Sequence, residues 1–141
     1  MATASVTTDI NIGPYKIPSN AQNMIMNNFA ERNGLKIEFV IPEPIMSDQL
    51  ETTQWLYKDF KFKNIILCSI HQLPADKVNQ NNLIKNLGKV KFNFVIEGLS
   101  GIGNSFLRKC FEEAKYFNNA QIIDTKKNNW IKLYKKMKNE I

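Results

Sequence analysis

The chain has 141 residues, 43% of them apolar, which is enough for one hydrophobic core and short for two. No apolar run approaches the roughly 18 residues a membrane span needs, and the opening MATASVTTDI lacks the basic and hydrophobic regions of a signal peptide, so a cytoplasmic protein is expected. The formal charge of +6 is unevenly spread: residues 1–124 hold 13 Lys and Arg against 12 Asp and Glu, and residues 125–141 hold six Lys against Glu140.

In chain order, Thr7 to Ile12 is a candidate first strand, followed by the Gly13-Pro14 turn signal. Ala21, Met24, Ile25 and Phe29 recur at helical spacing from Ser19 to Asn33, and Asn33-Gly34 supplies a left-handed stop. Leu35 to Ile41 reads as a strand ended by Pro42 and Pro44. Ser47 or Asp48 then caps a helix carrying Leu50, Leu56, Tyr57 and Phe60. The unbroken apolar run Asn64 to Ile70, NIILCSI, has the pattern of a central parallel strand covered on both faces.

A helix from about Asp76 to Leu87 closes at Gly88, and Lys91 to Ile96 is the next strand. The glycine-containing loop GLSGIGNS, residues 98–105, leads into an amphipathic helix bearing Phe106, Leu107, Cys110, Phe111, Ala114 and Phe117. Ala120 to Ile123 fits a short edge strand. Residues 125–141 form a basic helix with Trp130, Tyr134, Met137 and Ile141 on one stripe, packed on the domain of residues 1–124 or on a partner subunit. Strands alternating with helices imply a three-layer α/β sandwich with a mostly parallel sheet of four or five strands.

Ligands of such sheets bind outside the carboxyl ends of the strands. Lys16, Ser19, Asn20 and Gln22 follow the first strand there, and Glu43 the second. Ser69, His71, Gln72 and Asp76 follow the central strand, with Glu97, Ser100 and Asn104 after the next. Ser19 is either a helix N-cap or a group offered to an anion or a substrate. His71, the sole histidine, is either a loop-bonded ring or a general acid or base, with Glu97 as its partner or as a cap on the loop amides of residues 98–101. Ser19, Asn20, Gln22, Gln72 and Ser100 are the candidate substrate-binding groups. The loop at residues 98–105 is neither a Walker motif nor a dinucleotide fingerprint. One histidine with Cys68 and Cys110, both read as reduced buried thiols, makes no metal site, and no residue pattern calls for a cofactor.

From Ser19 to about Asn118 the layout is similar to the catalytic domain of serine site-specific recombinases. That resemblance implies a resolvase-like, or more generally flavodoxin-like, sheet with Ser19 at the nucleophile's position. Arginine positions of that family are Ile17 and the segment HQLPAD here, so the fold carries over and the transesterification does not. Residues 17–118, above all IPSNAQNMIMNNFAERNGL and ILCSIHQLP, resemble the bacterial sporadic carbohydrate cluster proteins. This implies surface-polysaccharide biosynthesis, with a sugar or sugar phosphate bound or converted at the rim. As an enzyme it would use His71 and Glu97 as acid and base for isomerisation, epimerisation or elimination. Two further readings are a noncatalytic assembly module, which includes a homo-oligomer joined through the last helix, and a degenerate recombinase relative binding DNA through its basic tail. With the positive charge gathered in one short segment, nucleic acid ranks as an unlikely partner.

Overall fold

The computed structural model describes residues 2–44 and 50–116. Among these residues five strands form the main sheet: β1 (Thr3–Thr7), β4 (Ile37–Pro42), β5 (Asn64–Leu67), β6 (Lys91–Phe94) and β7 (Leu99–Gly101). A small hairpin pairs β2 (Asn11–Ile12) with β3 (Tyr15–Lys16). The helices are α1 (Ser19–Arg32), α2 (Glu51–Phe60), α3 (Lys77–Leu87) and α4 over residues 104–116. The sheet order is β4-β1-β5-β6-β7, with the first four strands parallel and β7 antiparallel to β6. The expected three-layer, mostly parallel sandwich is therefore the fold, and NIIL sits at its centre.

Strand alternation divides the core. Ala4, Val6, Ile65, Leu67, Phe92 and Phe94 point to the face covered by α2, α3 and α4, where they join Leu83, Leu87, Leu107 and Phe111. Each large side chain withdrawn there contributes on the order of 1.5–3 kcal/mol. The other face carries only α1 among the described residues, through Met26 and Ala30 against Ile66 and Cys68. Polar residues accompany them: Thr3, Ser5 and Thr7 on β1 and Asn93 on β6 are all buried.

Several sequence expectations are corrected. The first strand is Thr3–Thr7, not Thr7 to Ile12, because its Thr and Ser residues are buried by pairing with strands on both sides. Residues Asn11 and Ile12 belong to the hairpin instead. In α1 the buried face is Gln22, Met26 and Ala30, while Met24 is 65% exposed. Its N-cap is Pro18, with no side-chain cap bond, so Ser19 is the first helical residue and not the cap. The 98–105 segment is not a continuous loop: Gly98, at φ +67, turns the chain so that Leu99–Gly101 pairs with β6. Gly101 is required there because a Cβ would stand 2.6 Å from the Phe106 ring. Ser47, Asp48, Phe117, the strand expected at Ala120 to Ile123 and the helix expected over residues 125–141 lie outside the described residues.

Candidate functional site

The loops leaving β1, β5 and β6 meet at the carboxyl edge of the sheet and are tied together by one polar network. Gln22, fully buried on α1, reaches back to the loop after β1. Its Oε1 accepts from Thr8 N at 3.0 Å, and its Nε2 donates to the carbonyls of Thr8, Asp9 and Ile17 at 3.1, 3.2 and 2.8 Å. Thr8 continues the network, its Oγ1 accepting from Gln72 Nε2 at 2.8 Å.

Gln72 lies in a single 3-10 turn, Ile70–Gln72, that follows the central strand. Ser69 opens this turn with a capping box: Gln72 Oε1 accepts from Ser69 N at 3.1 Å, and Ser69 Oγ accepts from His71 N at 3.2 Å. Glu97, at the end of the turn after β6, closes the network. Its carboxylate accepts from Ser69 Oγ and from Ile70 N, each at 2.8 Å. The donors at the end of the central strand are thus consumed by an internal anion.

His71 is half-buried. The β2–β3 hairpin covers its ring: Tyr15 approaches edge-on with centroids 6.1 Å apart, and a Cβ on Gly13 would fall 2.5 Å from His71 Cγ. Burial lowers the His71 pKa from its ordinary 6.5, and the Glu97 charge opposes that shift. The ring is therefore neutral at pH 7, a donor and an acceptor rather than a cation.

The remaining candidates are placed differently. Ser19 and Asn20 sit exposed on the first turn of α1, and Lys16 is exposed on β3. Glu43 is buried and serves α2: its carboxylate accepts from Thr52 N, Thr53 N and Thr53 Oγ1 at 3.2, 2.7 and 2.7 Å. Asp76 caps α3 through Asn79 N. Ser100 lies on β7 and donates to Asn93 Oδ1 at 2.9 Å, outside the Thr8–Glu97 network. Asn104 is exposed at the start of α4. The structure therefore joins Gln22, Gln72, Glu97 and the backbone of His71, and leaves Ser19, Asn20 and Ser100 out of that network.

Beside His71 a cleft of ≈570 Å³ opens between the hairpin, the segment after β5 and α4. Leu73 and Phe111 are apolar parts of its wall, and Lys77, Arg108 and Lys115 bring three cations against Glu112. Arg108 reaches Asn81 Oδ1 at 3.4 Å. These cations went unmarked in the sequence because they come from two helices; the seven-residue spacing of Arg108 and Lys115 on one helix face was the available signal. Thr8 was hidden by the misplaced first strand. No group of His, Cys, Asp and Glu among the described residues could hold a metal.

The fold is shared with proteins of known structure. The N-terminal catalytic domain of TP901-1 integrase superposes with a TM-score of 0.62 at 12% identity, covering 86% of this chain and 99% of that one. A resolvase family site-specific recombinase from Streptococcus pneumoniae gives 0.58 at 15% identity, covering 95% and 99%. The fold is resolvase-like. No family profile matches the sequence, and no curated protein matches it. The resolvase-like neighbours correct the functional expectation: one is the catalytic domain of an integrase and the other a site-specific recombinase, so the surface-carbohydrate role, the sugar ligand and the low rank given to nucleic acid do not stand. No described helix is long and apolar enough to cross a membrane.

Proposed function

We propose that this chain uses a resolvase-like scaffold to hold DNA by its phosphate backbone without cutting it. The carrying observation is the distribution of charge at the carboxyl edge. Glu97 fills the donors at the end of the central strand, which puts a fixed negative charge at the centre of the edge. The cations Lys77, Arg108 and Lys115 stand in the neighbouring cleft. Phosphates are attracted to the cleft and repelled from the centre.

Absence of cleavage follows from the same chemistry. The chain has two arginines, Arg32 in the last turn of α1 and Arg108 in the cleft. Ile17 and the segment HQLPAD offer no guanidinium to hold a phosphoryl transition state beside Ser19. The six lysines of residues 125–141 add nonspecific attraction.

The test is fluorescence anisotropy with a labelled duplex from 50 to 200 mM salt. Affinity falls steeply with salt, and in the variant K77A/R108A/K115A the log–log slope becomes shallower by about 0.9 for each phosphate no longer neutralised. Salt-independent binding, or a triple variant that binds as the parent does, overturns the reading. Nicking of supercoiled plasmid overturns its noncleaving part.

A further inference from the structure

A second cleft, of ≈620 Å³, lies at the opposite, amino edge of the sheet, on the face that α1 only partly covers. Lys63, Lys89 and Lys91 line it, all exposed, and among the described residues no acidic one does. Lys63 and Lys91 stand side by side where β5 and β6 begin, since Lys91 N donates to Lys63 O at 3.0 Å. Between the lysines is a partly apolar floor of Phe29, Leu35 and Ile102, the last 59% exposed.

Polar groups complete the lining. Asn93 is buried in the middle of β6, where an apolar residue would be ordinary for a sheet face; its Nδ2 donates to Ile65 O at 3.1 Å and its Oδ1 accepts from Ser100. Ser100 and Asn33 remain exposed at the cleft. Such a lining has three demands: several negative charges, flat apolar surface, and hydrogen-bonding edges. A duplex meets the first and hides its bases, whereas unpaired nucleotides meet all three.

We infer that this amino-edge cleft binds single-stranded nucleic acid, its phosphates on Lys63, Lys89 and Lys91 and its bases against Phe29, Leu35 and Ile102. The site goes beyond duplex binding at the carboxyl edge and does not rest on it.

The experiment is anisotropy of labelled oligo-dT and of a blunt duplex of equal length, on the full chain and on its variants. In K63A/K89A/K91A, which changes exposed side chains only, oligo-dT binding weakens at least tenfold and its log–log salt slope becomes shallower by about 0.7 for each phosphate no longer neutralised. Duplex binding changes less than twofold. Ile102→Ser weakens oligo-dT several-fold with an unchanged salt slope, which separates base stacking from charge. K77A/R108A/K115A leaves oligo-dT binding intact. Oligo-dT binding that survives the lysine substitutions, with an unchanged Tm showing a folded variant, overturns the inference. Displacement of oligo-dT by poly-glutamate at equal charge also overturns it, in favour of an acidic polypeptide. Loss of duplex binding alone counts against the carboxyl-edge reading and leaves this one standing.

Discussion

Replacing Gln22 by methionine keeps the side chain's length and removes its amide, which isolates what the polar network contributes. The wild-type amide makes four hydrogen bonds to backbone groups of Thr8, Asp9 and Ile17, and the residue has no exposed surface. In Gln22→Met, Thr8 N–H and Ile17 C=O lose these partners beneath the start of α1. An unsatisfied buried group costs about 1–3 kcal/mol, and half-buried Thr8 and Asp9 recover part of theirs from water. The variant should lose about 2–4 kcal/mol, a large share of the roughly 5–15 kcal/mol of a typical domain. With a urea m-value of about 1–3 kcal/mol/M, the midpoint falls by on the order of 1–2 M. Urea titration followed by circular dichroism measures it, and amide exchange at Thr8 reports the local opening. A midpoint within about 0.3 M of the parent, with Thr8 still protected, would refute the assignment of Gln22 as the tie between β1, the hairpin and α1.

Other outcomes follow from neighbouring groups. Glu97→Ala removes two charge-assisted bonds and costs about 2–3 kcal/mol; it also removes the charge that raises the His71 pKa, so an NMR titration of this sole histidine should move further down. Because burial depresses the folded-state pKa of His71, stability is unaffected by this ring above pH 6.5 and declines as pH falls from 6.5 toward the folded value. The Tm of wild type should drop between pH 7 and pH 5 more than that of His71→Gln, and equal slopes would count against it. Gly13→Ala forces alanine to φ +54 and drives its Cβ into the His71 ring, so it should cost more than the roughly 1–2 kcal/mol of the left-handed conformation alone and shift the His71 NMR signals. Burial, aided by Glu97, pushes Cys68 up to about 11; burial, aided by Glu113 and Glu97, pushes Cys110 to about 12. Both thiols should resist a thiol reagent at pH 8 until urea unfolds the chain.

What the sequence revealed follows the strength of each local signal. NIIL is apolar at every position after its first and β-branched at two, so its central place was legible. Likewise Asn33-Gly34 ended α1 as expected, with Gly34 at φ +66 and Leu35 N bonded to Ala30 O. TASVT was not legible because its polar residues are buried by pairing on both sides, a tertiary effect that composition conceals. The inward face of α1 was misread for a related reason: Gln22 is turned in to tie a loop, which left exposed Met24 looking like core. At the site, His71 and Glu97 were rightly placed near one edge by strand adjacency. The Glu97 bonds to Ser69 and Ile70 depend on a turn geometry that spacing does not encode. The lysine cleft at the amino edge was invisible because its members are scattered from Phe29 to Ile102.

Glu43 has a bearing on how this sequence can change. The start of α2 is anchored by a carboxylate at the end of β4, eight positions before the helix, while Leu50 just ahead of the helix is in the left-handed conformation and offers no cap. The helix start is therefore specified by a residue outside the helix: Glu43→Ala strips the first turn of α2 of three bonds while every residue of the helix itself stays as it is, so a change at this one strand-end position reaches the helix without touching it.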